Sequence, residues 1–139
     1  MRQHSRFALV AAGVLALAAL SVPQAGVAAE PGSREAIDQA AAVNTELALA
    51  YMREGNLKAA REKIDKALQQ DARTANTQMA AGFVYDKLGD KKKALSHFEQ
   101  AVKLGGKDNP DVVANAAVYF CMNGEPKRGE QYMLQAAAS

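Results

Sequence analysis

Residues 41–74 read AAVNTELALAYMREGNLKAAREKIDKALQQDART, and residues 75–108 read ANTQMAAGFVYDKLGDKKKALSHFEQAVKLGGKD. Laid one above the other, the two stretches agree at a spacing of 34 residues. Tyr51 falls on Tyr85, Gly55 on Gly89, Ala60 on Ala94, Ile64 on Phe98 and Ala67 on Ala101, while Ala48 falls on Gly82. With Asn109 taken as one inserted residue, Ala117, Phe120, Gly124, Gly129, Met133 and Ala136 repeat the pattern in 110–139. Within each copy, apolar residues recur every three or four positions, as in Leu57, Ala60, Ile64, Ala67 and Leu68, which is the period of a helix and not of a strand.

A 34-residue period with this distribution of residue types resembles the tetratricopeptide repeat (TPR), in which each copy is a helix, a tight turn and a second helix. The mechanics agree with the residues. Where the two helices cross closely, all nine positions are Ala or Gly: Ala48, Ala60, Ala67, Gly82, Ala94, Ala101, Ala117, Gly129 and Ala136. Gly55, Gly89 and Gly124 stand at the turn, where a left-handed backbone suits Gly. Tyr51, Tyr85 and Phe120 supply the wedge beside the small residues, and Pro126 opens its helix at a position whose N–H has no partner to lose. A generic stack of helical hairpins is the alternative. The fold class expected is therefore all-α, a three-repeat TPR solenoid of about six helices over 41–139. The repeats are 41–74, 75–108 and 110–139, and the helices are predicted at 33–54, 57–70, 75–88, 91–104, 110–123 and 126–138. Residues 30–40 form a helical lead-in that Ser33 caps. A solenoid usually ends in a capping helix with a polar outer face, and 135–139 (QAAAS) supplies none, so either a partner covers the last apolar face or the stack is marginal there.

The N-terminus is of another character. Arg2, His4 and Arg6 precede the uncharged run 7–20, and small residues follow at 25–29. That is the pattern of a secretory signal peptide, 1–29, cut after Ala29. An uncleaved anchor is the alternative, but the run is shorter than the about 20 apolar residues that span a bilayer. Cleavage leaves a periplasmic chain with no transmembrane span. Arg2 and Arg6 depart with the signal, so of 17 basic residues 15 remain against 15 acidic ones, and the formal charge of the rest is zero. Nucleic acid is thereby disfavoured as a partner, and Lys91–Lys93 is read as a solvated helix start. Cys121 is the single cysteine, which excludes an intramolecular disulfide. It is expected as a small buried apolar residue, with pairing between chains as the alternative.

Catalytic constellations are missing. His97 alone remains after cleavage and is expected on or near the surface. No metal-ligand spacing or nucleophile motif occurs, and 105–108 (GGKD) lacks the rest of a phosphate loop. The sequence thus predicts no enzyme, no cofactor and no metal. In a TPR stack the first helix of each repeat lines a concave face. Repeat positions 2, 5, 9 and 12 place Ala42, Thr45, Leu49, Met52, Asn76, Met79, Phe83, Asp86, Asp111, Ala114, Val118 and Cys121 there. The candidate partner-binding residues are Thr45, Leu49, Met52, Met79, Phe83, Asp86 and Val118. Their apolar character points to a protein partner, and it contrasts with the Lys, Arg and Asn clamps by which some TPR co-chaperones hold a terminal carboxylate. Packing of these residues against a neighbouring helix is the alternative.

Three stretches resemble the type IV pilus pilotins, the PilF/PilW family of TPR proteins: 42–57 (AVNTELALAYMREGNL), 79–89 (MAAGFVYDKLG), and Asn109-Pro110-Asp111-Val112 leading through Asn115 to 120–124 (FCMNG). The resemblance spans about residues 41–137. It implies a periplasmic, outer-membrane-associated factor that helps the pilus secretin to assemble. In that family a lipidated Cys follows the signal, whereas Glu30 stands here, and the family carries further helices. A general envelope adaptor or holdase with another partner is the alternative function.

Overall fold

A computed structural model describes residues 30–106 and 108–138. The signal sequence expected at 1–29 lies outside them. Among the described residues there are six helices and no strand: α1 Arg34–Arg53, α2 Leu57–Gln70, α3 Ala75–Lys87, α4 Lys91–Gly105, α5 Pro110–Met122 and α6 Pro126–Ala137. The six predicted helices agree with these to within a residue or two at each end. The lead-in and the first repeat's helix are one continuous helix, α1, and the Ser33 hydroxyl accepts from the Ala36 N–H at 3.1 Å as its N-cap.

Each pair α1/α2, α3/α4 and α5/α6 is an antiparallel hairpin, and α3 and α5 also touch the first helix of the preceding pair. One local device makes all three turns. The residue after the turn glycine donates its N–H to the carbonyl of the wedge residue: Asn56 to Tyr51 at 2.9 Å, Asp90 to Tyr85 at 2.9 Å and Glu125 to Phe120 at 3.0 Å. This six-to-one bond needs a left-handed residue in between, and Gly55, Gly89 and Gly124 stand at φ of 78°, 81° and 88°. The same Asn56 and Asp90 then cap the next helix with their side chains, on Ala59 N–H at 3.2 Å and Lys93 N–H at 3.1 Å. At the third turn Glu125 makes no side-chain cap bond, and Pro126 opens α6 at a position where its missing N–H costs nothing. Ending one helix and starting the next with three residues between them is what folds the hairpin back on itself.

Small residues then decide how closely the helices cross. Eight of the nine predicted Ala and Gly positions are buried, and Ala136 is half-buried. At Gly82 a Cβ would lie 2.8 Å from the Phe98 ring, so the ring occupies the volume that the glycine leaves free. That ring cannot step aside. Phe83 meets it edge-on with centroids 5.1 Å apart, and Tyr119 of the next repeat lies against it at 4.1 Å. The first repeat solves the same crossing with Ala48 against the smaller Ile64, both fully buried. Gly129 is tighter still: a Cβ there would meet Cys121 Sγ at 2.2 Å and the Ala117 carbonyl oxygen at 2.7 Å.

Two substitutions test this packing. A Gly inside a helix is worth about 1 kcal/mol less than Ala, so Gly→Ala is stabilising where space exists. Overpacking costs about 1–3 kcal/mol. Gly129→Ala faces backbone atoms, so overpacking wins and the melting temperature drops. Gly82→Leu drives four carbons into the Phe98 ring and lowers it further. Thermal unfolding by circular dichroism reads both; an unchanged midpoint in either would contradict the crossing described here.

Candidate protein-interaction face

A cleft of about 390 Å³ lies between the first helices α1 and α3 of repeats one and two. It is lined by Ala42, Thr45, Glu46 and Leu49 of α1, by Thr74, and by Asn76, Thr77 and Met79 of α3. Its floor is polar but satisfied. The Thr45 hydroxyl bonds the Ala41 carbonyl at 2.8 Å and meets the Thr77 hydroxyl at 3.1 Å. Its walls are the half-buried Leu49 and Met79, and its rim is the exposed Ala42, Glu46 and Asn76.

The seven predicted binding residues therefore divide. Thr45, Leu49 and Met79 share this cleft. Thr45, at 7% exposure, forms its floor and pins α1 to α3. Met52 and Phe83 are half-buried and pack on the core, Phe83 through its edge contact with Phe98. Val118 is open, at 44% exposure, but lies on α5, the first helix of the third repeat. Glu46, Thr74 and Thr77 also line the cleft but were absent from the predicted set. Glu46 and Thr77 sit at repeat positions adjacent to the chosen ones, and Thr74 is the N-cap residue of α3.

Asp86 joins a network across the second junction. It accepts the Tyr119 hydroxyl at 2.7 Å and pairs with the Lys91 ammonium. Lys91 also donates to Asn123 Oδ1 at 3.2 Å, and Asn123 donates to the Tyr119 carbonyl at 2.9 Å. Burial pushes the Asp86 carboxyl up, but hydrogen bonds from Lys91 and Tyr119 and the lysine charge outweigh it and hold the group below its ordinary value. Tyr119 is raised, by burial first and by its bond to Asp86 second. Across the first junction the corresponding link is Tyr85 to Asp65 of α2, and burial followed by that bond raises the Tyr85 phenol to about 12. His97, half-buried, stacks on Tyr85 with centroids 5.3 Å apart and bonds Gln78 through Nδ1 at 2.8 Å, and burial lowers its basicity.

Cys121 was expected to be buried and is exposed. It occupies repeat position 12, where Met52 and Asp86 are each half-covered by the following repeat, and no described helix follows α6 to do the same for Cys121. Among the described residues no group of His, Cys, Asp and Glu is arranged to hold a metal ion, and no helix is long and apolar enough to cross a membrane.

Comparison with known proteins bears on the fold. Residues 39–105 match the model of the tetratricopeptide repeat. An uncharacterized protein of Haemophilus influenzae is 32% identical over 92 residues, which is 66% of this chain and 51% of that protein. The solved structure of Pseudomonas aeruginosa pilF superposes with a TM-score of 0.66 over 73% of this chain and 45% of that one, at 24% identity, a likeness of fold. The chain thus spans about half the length of each. With three hairpins stacked in register, the architecture is an all-α solenoid of the tetratricopeptide-repeat type.

The Asp86 network has a pH signature. A carboxylate whose folded pKa is depressed contributes stability above its unfolded value, about 3.9, and loses that contribution as pH falls through the folded value. Wild type should therefore weaken in acid more steeply than Asp86→Asn, which is less stable at neutral pH because Lys91 loses its charge partner. Urea unfolding at a series of pH values reads the difference, and parallel curves would remove Asp86 from the account.

Proposed function

We propose that this chain is a periplasmic, pilotin-like assembly factor, a non-catalytic scaffold that holds an apolar segment of the type IV pilus secretin in the α1/α3 cleft. The observation that carries the binding site is the cleft itself, about 390 Å³ between Leu49 and Met79 and open along its rim. Apolar walls beneath a polar rim suit the apolar face of an amphipathic segment, and Met adapts to the contours of its ligand. The exposed Glu46 carboxylate at the rim favours a basic side chain flanking that face. Supporting the partner are the three stretches that resemble the pilotins and the likeness of fold to Pseudomonas aeruginosa pilF. Supporting the compartment is the signal-like pattern of residues 1–29.

The test is a substitution that fills the cleft without disturbing the core. Ala42 is exposed at the rim and sits on α1, where Arg is a good helix former. Ala42→Arg should leave the melting temperature unchanged and weaken secretin-fragment binding at least tenfold, about 1.4 kcal/mol. Apolar contact dominates such a site, so wild-type affinity should vary little with salt. Calorimetric titration at two salt concentrations measures both. Failure of every secretin fragment to bind would sink the partner and turn attention to a general envelope adaptor. Equal binding by Ala42→Arg would move the site elsewhere on the surface.

A further inference from the structure

The two ends of the stack are the two halves of an interface that the chain already makes twice within itself. At repeat positions 3, 7 and 10, α3 carries Thr77, Ala81 and Val84, and α5 carries Val112, Ala116 and Tyr119. All six are at most 7% exposed, because the preceding hairpin covers them. The contacts are explicit: Thr77 meets Thr45, and Tyr119 meets Phe98 and Asp86. In α1 the same positions are Val43 at 56%, Leu47 at 39% and the half-buried Ala50, with no described hairpin before them.

The opposite end shows the complementary exposure. Repeat position 24 is Ile64 in the first copy and Phe98 in the second, each at 0% exposure, but Met133 in the third stands at 41%. Position 25, Asp65 and Glu99 in the earlier copies, is Leu134 at 67%. An apolar residue there has no use in water, whereas Asp65 at that position meets Tyr85 of the following repeat. Solenoids close such ends with polar capping faces, and neither end of the described stack has one.

We propose that this chain associates with copies of itself head to tail, the α1 face of one copy covering the α5/α6 face of the next and continuing the solenoid. A second copy is favoured over an unrelated partner because the required surface already exists in the molecule. α1 presents the same repeat positions, on the same kind of hairpin, that α3 and α5 use to cover their predecessors. The contact is heterologous, since a head meets a tail, so association is open-ended and grows with concentration instead of stopping at a closed dimer.

The experiment is sedimentation equilibrium on the protein as recovered from expressing cells, from about 10 µM to about 1 mM, the span in which modest interfaces associate. Val43→Glu alters only the head and Leu134→Glu only the tail. Both positions are exposed, so both variants should keep the wild-type circular dichroism spectrum and midpoint. The wild-type mass should rise continuously with concentration, each variant alone should remain monomeric, and an equimolar mixture of the two should form pairs and nothing larger. A wild type that stays monomeric throughout would overturn the proposal. So would a Val43→Glu protein that still dimerises, which would mean tail-to-tail pairing, or a mixture that stays monomeric.

Discussion

The Phe98 ring fills the volume left by the missing Cβ of Gly82, and it is held there by Phe83 on one side and Tyr119 of the next repeat on the other. Most of the architecture follows from crossings of this kind. Two helices joined by a three-residue turn must approach closely, and Ala or Gly at the crossing permits it. Each large side chain that fills the remaining space must be matched to the small one it faces, as Ile64 is to Ala48 and Phe98 to Gly82. The turn bonds from Asn56, Asp90 and Glu125 to the wedge carbonyls set the angle at which the helices meet, so local hydrogen bonding and core packing specify the same hairpin.

Burial in such a stack is a nearest-neighbour property. A side chain's exposure depends on its repeat position and on whether a following hairpin lies over it. That is why Phe98 is sealed while Met133, at the same position, is open, and why Cys121 is exposed where Met52 and Asp86 are half-covered. The polar contacts give each junction an identity. Thr45 with Thr77 and Asp65 with Tyr85 hold the first, while Asp86, Lys91, Asn123 and Tyr119 hold the second. Because the partners differ, the repeats are not interchangeable, and a cleft opens at the first junction, beside Leu49 and Met79.

The repeat, its register and its turns were legible in the residues alone. Gly55, Gly89 and Gly124, the nine small positions and the wedge residues are statements about backbone conformation and side-chain volume, which are local properties repeated three times. The binding face was legible only in part. Repeat position names the helix face on which a side chain lies, but it does not say how far the next helix stands from it. Thr45 and Leu49 share that face, yet Thr45 is at the floor with its hydroxyl engaged by α3, while Leu49 is a wall. Phe83 shares it too, and its ring edge is committed to Phe98. Spacing between helices is set by the sum of many contacts between segments distant in sequence, so it appears only once the chain is folded. The sequence by itself determined which residues form helices and where they cross. The tertiary structure decided which of the outward positions are open, because accessibility belongs to the gap between neighbouring hairpins and not to either hairpin alone.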